Sequence, residues 1–420
     1  MNGRSGALPD EAYAVALLSL PALWPGRLAA LLGLHREGKE PPPSLLDESD
    51  RPRSAAEAWA LVTSGRVARD LAVRQALGPR VDGAAVTAEW VKRATVVDVG
   101  ALWDRHRRAG VVVDLLGSPG YPGALARDPA APYALFRSGA QPALRPPCVA
   151  IVGTRRCTPL GREIALEFGD ELTAAGARVV SGLALGIDAA AHEGALRATR
   201  RQLAARDDPS DPGTVGRVAP PVGVVAGGFD IPYPARHRRL WQDVAAVGAL
   251  VSEWPLGTRS EGWRFPARNR IIAALADAVV VVESRAAGGS IVTADQALVR
   301  DRPIFAVPGS VRSPASVGTN RLLREGAMPA CTPRDVIGYL KLSVPGFSAP
   351  FPSIATRAEP SGLAGEVLCA VGWEPTPVEV VLRRCALARA EVTLQLAHLE
   401  LDGWVTNGPA GWQRAGPVLS

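Results

Sequence analysis

The sequence predicts an α/β protein built on a doubly wound, mainly parallel sheet, with a helical module before it and a winged-helix-like module after it. Three observations carry this. Short β-branched runs alternate with helical stretches from Val111 onward, apolar residues recur every three or four positions up to about Gly110, and three short helical stretches precede a possible strand pair near the C-terminus. Continuous apolar strands that alternate with helices belong to a parallel sheet buried on both faces, whereas a half-solvated sheet would alternate polar and apolar residues.

Residues 1–110 read as the helical module, with apolar periodicity in Tyr13 to Leu32, Ala55 to Leu77 and Val86 to His106 and a polar, Pro-rich internal loop from Glu40 to Arg53. The apolar segment from Ala12 to Leu32 follows Asp10 and Glu11 and is interrupted by Pro21, Pro25 and Arg27, so it reads as soluble helices rather than a signal peptide or membrane span. Residues 111–342 form the α/β core, with strands expected at Val111 to Leu116, Val149 to Val152, Arg178 to Ser181, Val222 to Ala226, Ala249 to Ser252, Ala278 to Glu283 and Ile304 to Val307. Pro, Ser and Gly then make 343–360 a linker. Within 361–420, Leu363 to Leu401 offers three short helices and Trp404 to Gln413 a strand pair turning at Asn407-Gly408, the pattern of a winged helix.

A composition of 47% hydrophobic and 21% charged residues excludes collagen, wholesale disorder and a membrane bundle. Of the 47 basic residues 44 are Arg, and the net charge is only +6, so a polyanion site is expected to use placed guanidinium groups rather than a Lys-rich cloud. Residues 141–340 carry 24 Arg against 19 acids, while residues 361–420 carry four Arg against six acids. The core is therefore the expected home of a polyanion, and the acidic, Leu-rich C-terminal module is expected to make protein contacts. The five cysteines are scattered, without CxxC or a His at ligand spacing, which argues against a zinc site or disulfide framework and for a reducing compartment.

In a doubly wound fold the ligand site lies at the carboxyl ends of the strands. The first loop there is Gly153-Thr154-Arg155-Arg156-Cys157-Thr158-Pro159, in which Thr158 can cap the following helix, Pro159 fits its first turn, and free N–H groups beside two arginines make a phosphate cradle or a plain strand-to-helix turn. The second runs from Ser181 and Gly182 to Gly186 and Asp188, with His192 on the next helix; Asp188 reads as a helix cap and His192 as a hydrogen-bonded structural histidine. Tyr233 to Trp241 and Trp263 to Arg270 interleave aromatics with arginines, which suits a single strand: guanidinium groups take phosphates and rings stack on unpaired bases. From these two clusters Tyr233, Arg236, Arg238, Phe265, Arg268, Asn269 and Arg270 are candidate contacts. The Gly-rich turn after Glu283 adds Gly289, Ser290 and Thr293 but has no Walker Lys, so it gives no support for ATP hydrolysis.

Taken together these loops resemble the DNA processing protein A family, also called the Smf family, of bacterial competence proteins. The resemblance rests on Val152 to Arg155, Ser181 to Ala184 with Gly186 to Asp188 and His192, Tyr233-Pro234, Ser252-Glu253, Phe265-Pro266 with Arg268 to Arg270, Glu283 with Gly289-Ser290 and Thr293, Val307 to Gly309, and Gly318 to Asn320 with Gly326-Ala327. It spans about Tyr121 to Tyr339. It implies a Rossmann-like core that binds single-stranded DNA, forms a homodimer, and loads a RecA-type recombinase onto incoming DNA during natural transformation, without catalysis or a cofactor. It also implies that Gly153, Thr154 and Arg155 hold a backbone phosphate, that Arg268 to Arg270 line the same groove, and that the flanking modules are sterile-alpha-motif-like and winged helix. Two departures stand out. Ala235 replaces a Lys that commonly follows the Tyr-Pro pair, leaving that contact to Arg236 or Arg238, and Arg200 to Pro221 is an unusual Pro-, Asp- and Arg-rich stretch expected to be a mobile surface loop.

The rival reading is an enzyme on the same fold, a nucleoside-monophosphate phosphoribohydrolase. Asp295 stands near the expected catalytic position, but Gly288-Gly289-Ser290 does not match that family's Gly-Gly-Thr wording.

Overall fold

The computed structural model describes residues 7–34, 52–77, 81–140, 144, 147–206, 218–348 and 360–415, organised as two units, 1–350 and 351–420. Among its described residues the first unit opens with six α-helices: α1 (Asp10–Leu18), α2 (Pro25–Leu31), α3 (Ala55–Thr63), α4 (Leu71–Leu77), α5 (Gly83–Ala94) and α6 (Val99–Arg108). Each of the three helical stretches expected from the periodicity thus splits in two. Pro25 opens α2, Asp98 caps α6 by accepting from the Ala101 N–H at 2.9 Å, and a short 3-10 turn separates α3 from α4. Asp10 in the first turn of α1 accepts from the Ala55 and Ala56 N–H groups at the start of α3, satisfying donors that a helix leaves unpaired.

The core follows: β1 (Val112–Leu115), α7 (Gly123–Ala126), β2 (Ala134–Ser138), β3 (Cys148–Val152), α8 (Pro159–Ala174), β4 (Arg178–Ser181), α9 (Ile187–Arg206), β5 (Val222–Val224), α10 (Arg238–Val247), β6 (Ala249–Ser252), α11 (Arg264–Leu275), β7 (Ala278–Val281), α12 (Gly289–Leu298), β8 (Ile304–Ala306), α13 (Val317–Arg324), β9 (Met328–Pro329) and α14 (Pro333–Ser343). The sheet runs β1-β2-β6-β5-β4-β3-β7-β8-β9, and the seven strands from β6 to β9 are parallel. All five residues of β3 are buried. Val149 and Ile151 face α8, α9 and α14, while Ala150 and Val152 face α11, α12 and α13, as a strand sandwiched between helical layers requires.

The sheet is mainly parallel, as expected, with an antiparallel edge. β1 and β2 are antiparallel to each other, β2 is antiparallel to β6, and β2 was not among the expected strands. The reason is chemical: β2 carries Arg137, whose guanidinium pairs with Asp114 of β1 at 2.5 Å with both side chains buried, so a paired charge interrupts the apolar run. The stretch expected as a loop from Arg200 begins instead as the last turns of α9, through Arg206, while residues 207–217 lie outside the described set.

The helical module shares one apolar core with β1 and β2, in which Leu17, Leu28, Leu31, Val62 and Trp90 meet Val113, Ala134 and Phe136. His106 on α6 joins it to the loop after β6: its Nε2 accepts from the Leu256 N–H at 2.9 Å while Nδ1 donates to the Leu102 carbonyl.

The second unit holds α15 (Gly362–Ala370), α16 (Val378–Arg384), α17 (Arg389–Leu401), β10 (Val405–Gly408) and β11 (Gly411–Arg414), around a core of Val367, Leu368, Val381, Val392, Leu396 and Leu399. Its hairpin turns at Pro409-Ala410 rather than at Asn407-Gly408, which end β10. Gly411, at φ +121°, admits the sharp return against Thr376.

Candidate functional site

The strand order reverses at β3. From it the chain winds to β4, β5 and β6 on one side and to β7, β8 and β9 on the other. At such a switch point the loops after neighbouring strands diverge and leave a crevice. A cavity of about 690 Å³ occupies it, lined by the loop after β3, the turn after β7, the first turns of α11 and α12, and Tyr233.

The loop after β3 is fixed from below. Thr158 caps α8 by accepting from the Gly161 N–H at 2.9 Å, and Pro159 takes the first helical position. Glu283, two residues past β7, binds both the Thr158 N–H and hydroxyl, and its carbonyl accepts from the Thr154 N–H at 2.8 Å. Burial raises the Glu283 pKa, which the two Thr158 contacts oppose. Gly153 and Gly186 let two loops meet: a Cβ on Gly153 would collide with Ile187, and one on Gly186, itself at φ +77°, with the Thr154 carbonyl. Arg155 and Arg156 are left exposed at the rim.

The aromatic groups line the same cavity. Tyr233 and Phe265 are 5.2 Å apart between ring centroids, and the Arg155 guanidinium stands 5.1 Å from the Phe265 centroid. Such a guanidinium is held by the ring quadrupole without losing its capacity to bind an anion. Tyr233 is 49% exposed, so its ring is open to a stacking partner.

Arg268 also lines the cleft, but it is 4% exposed and spent on the backbone, donating to the Gly182 carbonyl at 2.9 Å and to the Val224 carbonyl. Burial lowers its pKa to about 10 against the opposing charge of Asp188. Asn269 donates to the Gly289 carbonyl at 3.2 Å and so ties α11 to α12. Ser290 donates to the Ser284 hydroxyl and Thr293 to the Gly289 carbonyl, so both hydroxyls that face the cleft already have partners. Asp188 is no cap of its own helix. It sits inside α9 as the second residue and accepts from the Gly182 N–H at 3.1 Å, shaping the loop after β4. Among the described lining residues it is the one carboxylate.

Several expected residues lie elsewhere. Arg270 points away from the cleft and pairs with Glu253, because two positions along a helix turn a side chain by about 200°. Arg236 and Arg238 are exposed around the start of α10 but do not line the cavity. Ser181 donates to the Ile151 carbonyl at 2.6 Å, and Gly182 packs against the Arg268 guanidinium; both are buried beneath the site. His192 is fully buried and faces the Ser181 backbone, but neither ring nitrogen makes a well-directed hydrogen bond, contrary to the expected bonded role.

Residues 113–341 match the family described as DNA recombination-mediator protein A, and residues 351–411 match the DprA winged helix domain. The first match alone covers more than half of the chain. The chain belongs to the DNA recombination-mediator protein A family. Relatives in that family include Protein Smf of Escherichia coli (strain K12), 35% identical over 290 residues that cover 67% of this chain and 72% of that one. DNA processing protein DprA of Bacillus subtilis (strain 168) is 33% identical over 247 residues, 59% of this chain and 77% of that one. The fold is similar to that of DNA processing protein A from Streptococcus pneumoniae, with a TM-score of 0.58 and 25% identity over 79% of this chain and 98% of the other.

In this member of the DNA recombination-mediator protein A family, sequence reasoning missed Arg285, Ser260 and Gly262, which also line the cleft. Arg285 had a usable signal, since it stands in the loop at the carboxyl end of β7, where it is exposed. Ser260 and Gly262 sit on a loop without apolar pattern and had none.

Proposed function

We propose that the protein binds single-stranded DNA in the cleft at the sheet's switch point and acts there as a recombination mediator. The observation that carries this reading is the convergence of exposed Arg155 and Arg156 with the Tyr233–Phe265 pair on one cavity. Guanidinium groups supply sequence-independent phosphate contacts, and an open ring supplies stacking available only to an unpaired base. Gly153, Thr154, Arg155, Arg156 and Arg285 would take the phosphate, Tyr233 and Phe265 the base. Arg268, Asn269, Ser290 and Thr293 would hold these loops in place.

Asp188, the one carboxylate among the described lining residues, is already engaged by a loop N–H, which favours a binding role over hydrolytic turnover. Fluorescence anisotropy with labelled oligothymidylate tests the reading. Preference for the single strand over a duplex of equal length, and a loss of about tenfold on Arg155→Ala, are expected; equal affinity for both forms, or no loss on that substitution, overturns it.

The rest of the reading is that the protein works in the cytoplasm as a homodimer, protects incoming DNA during natural transformation and loads a RecA-type recombinase onto it. Family membership supports it. Its test is recombinase filament assembly on strand already coated by single-strand binding protein, which the protein should accelerate.

A further inference from the structure

Resting on that reading, we infer a second nucleobase platform beside the cleft, at the seam between the helical module and the core, built from Trp24 and Trp263. The loop leading into α11 and the first turn of that helix form a wall with two sides. Ser260, Gly262 and Phe265 line the cleft, while Thr258, Arg259, Trp263 and Arg264 line a separate cavity of about 570 Å³ that is closed on its other side by α1, the α1–α2 turn and Trp24. Phe265 is the second residue of α11 and Trp263 is its N-cap, so a strand that leaves the Phe265 ring and crosses this wall meets Trp263.

The chemistry of this seam is that of a base-stacking surface. Trp24 is 38% exposed and Trp263 47% exposed, unusual for tryptophan in a folded chain, and their rings stand edge to face at 6.1 Å. Arg27 lies 3.5 Å from the Trp24 centroid, and Arg264 lies 4.2 Å from that of Trp254, which in turn meets Trp263 at 5.7 Å. The indole N–H of Trp263 donates to Glu261 at 2.6 Å, which fixes the ring and engages the one acid among the described residues lining this cavity, a group that also sits 3.6 Å from Arg264. Exposed Arg259 and the rim residue Arg105, itself paired with Asp230, leave the local charge positive. Cationic groups behind open aromatic faces suit the bases of a polyanion and not a neutral apolar segment.

If Trp24 and Trp263 merely fastened the helical module to the core, their loss would lower the melting temperature and leave affinity the same at every DNA length. The platform makes the opposite demand. Oligothymidylates of six and of twenty nucleotides are titrated against the full chain and its Trp263→Leu, Trp263→Phe and Trp24→Leu variants, with thermal melts of each. Expected is unchanged affinity for the six-mer, a roughly tenfold loss for the twenty-mer in each Leu variant, and recovery of most of it in Trp263→Phe. Should Trp24→Leu not fold, Trp263→Leu carries the result, since that ring sits on an exposed loop. A twenty-mer bound as tightly by Trp263→Leu as by the unaltered chain overturns the platform alone. Failure of both oligomers to bind the unaltered chain overturns the parent reading instead.

Discussion

Arg155 and Arg268 face one cleft, yet their surroundings assign them different work. Arg155 is exposed and leans on Phe265, so its removal subtracts a charge that water already solvates; Arg155→Ala should change stability by less than about 0.5 kcal/mol. Arg268 is buried with its guanidinium on two carbonyls, and Arg268→Ala leaves those acceptors unpaired and Asp188 without its opposing charge. A loss of about 3–5 kcal/mol is expected in urea denaturation, the range for stripping one partner from a buried charge. His192 gives a pH signature. Burial, helped by the nearby Arg268 and His237 charges, pushes its pKa down to about 4 from 6.5, so between those values the folded chain binds fewer protons than the unfolded one. Stability from the neutral ring is complete above pH 6.5 and is lost as pH falls toward 4, on the order of 3 kcal/mol at the limit. Buried carboxyls such as Asp188 and Glu253 have raised pKa values and work in the opposite sense, so the His192 share is read from the difference between the unaltered chain and His192→Gln. The variant's stability should depend less steeply on acid; an unchanged slope refutes the assignment.

Helix α11 shows why the site was only partly legible in the sequence. Its text, Arg264-Phe265-Pro266-Ala267-Arg268-Asn269-Arg270, advertises basic and aromatic residues but not which way each faces, and the helical turn sends Phe265 and Arg268 to the cleft and Arg270 to Glu253. Arg270→Ala should therefore cost about 3–5 kcal/mol by stranding a carboxylate that is 2% exposed, while leaving oligothymidylate affinity within about twofold. The β strands were legible wherever burial on both faces made them uniformly apolar, as in β3 and β7. β2 was not, because Arg137 breaks its apolar run, whereas β1 was legible despite carrying the partner Asp114. Thr158 illustrates a role read only in half. Its helix cap follows from sequence, but its grip on Glu283, 125 residues away, does not. Thr158→Ala should lose more than the roughly 1 kcal/mol of a cap alone, because Glu283 keeps only the Thr158 backbone N–H.

Across the whole molecule the net charge of +6 says little until it is divided, and the structure divides it further. Of the 24 Arg in residues 141–340, many are committed to carboxylates, as Arg162 is to Glu193, Arg201 to Asp170 and Arg300 to Asp128. The cleft itself presents three exposed arginines, Arg155, Arg156 and Arg285. Each phosphate neutralised on a single strand contributes about −0.7 to the slope of log affinity against log salt. Three contacts in the cleft therefore give a slope of about −2 with a short oligothymidylate, far shallower than a net-charge argument over all 24 would suggest. Residues 361–420 carry more acids than bases and have their own apolar core, so a chain ending at Pro350 should keep both that slope and its affinity within about twofold. Titrations between 50 and 300 mM salt decide it. A slope steeper than about −4 would mean that arginines outside the cleft hold the strand, and a large loss on truncation would mean that the second unit does.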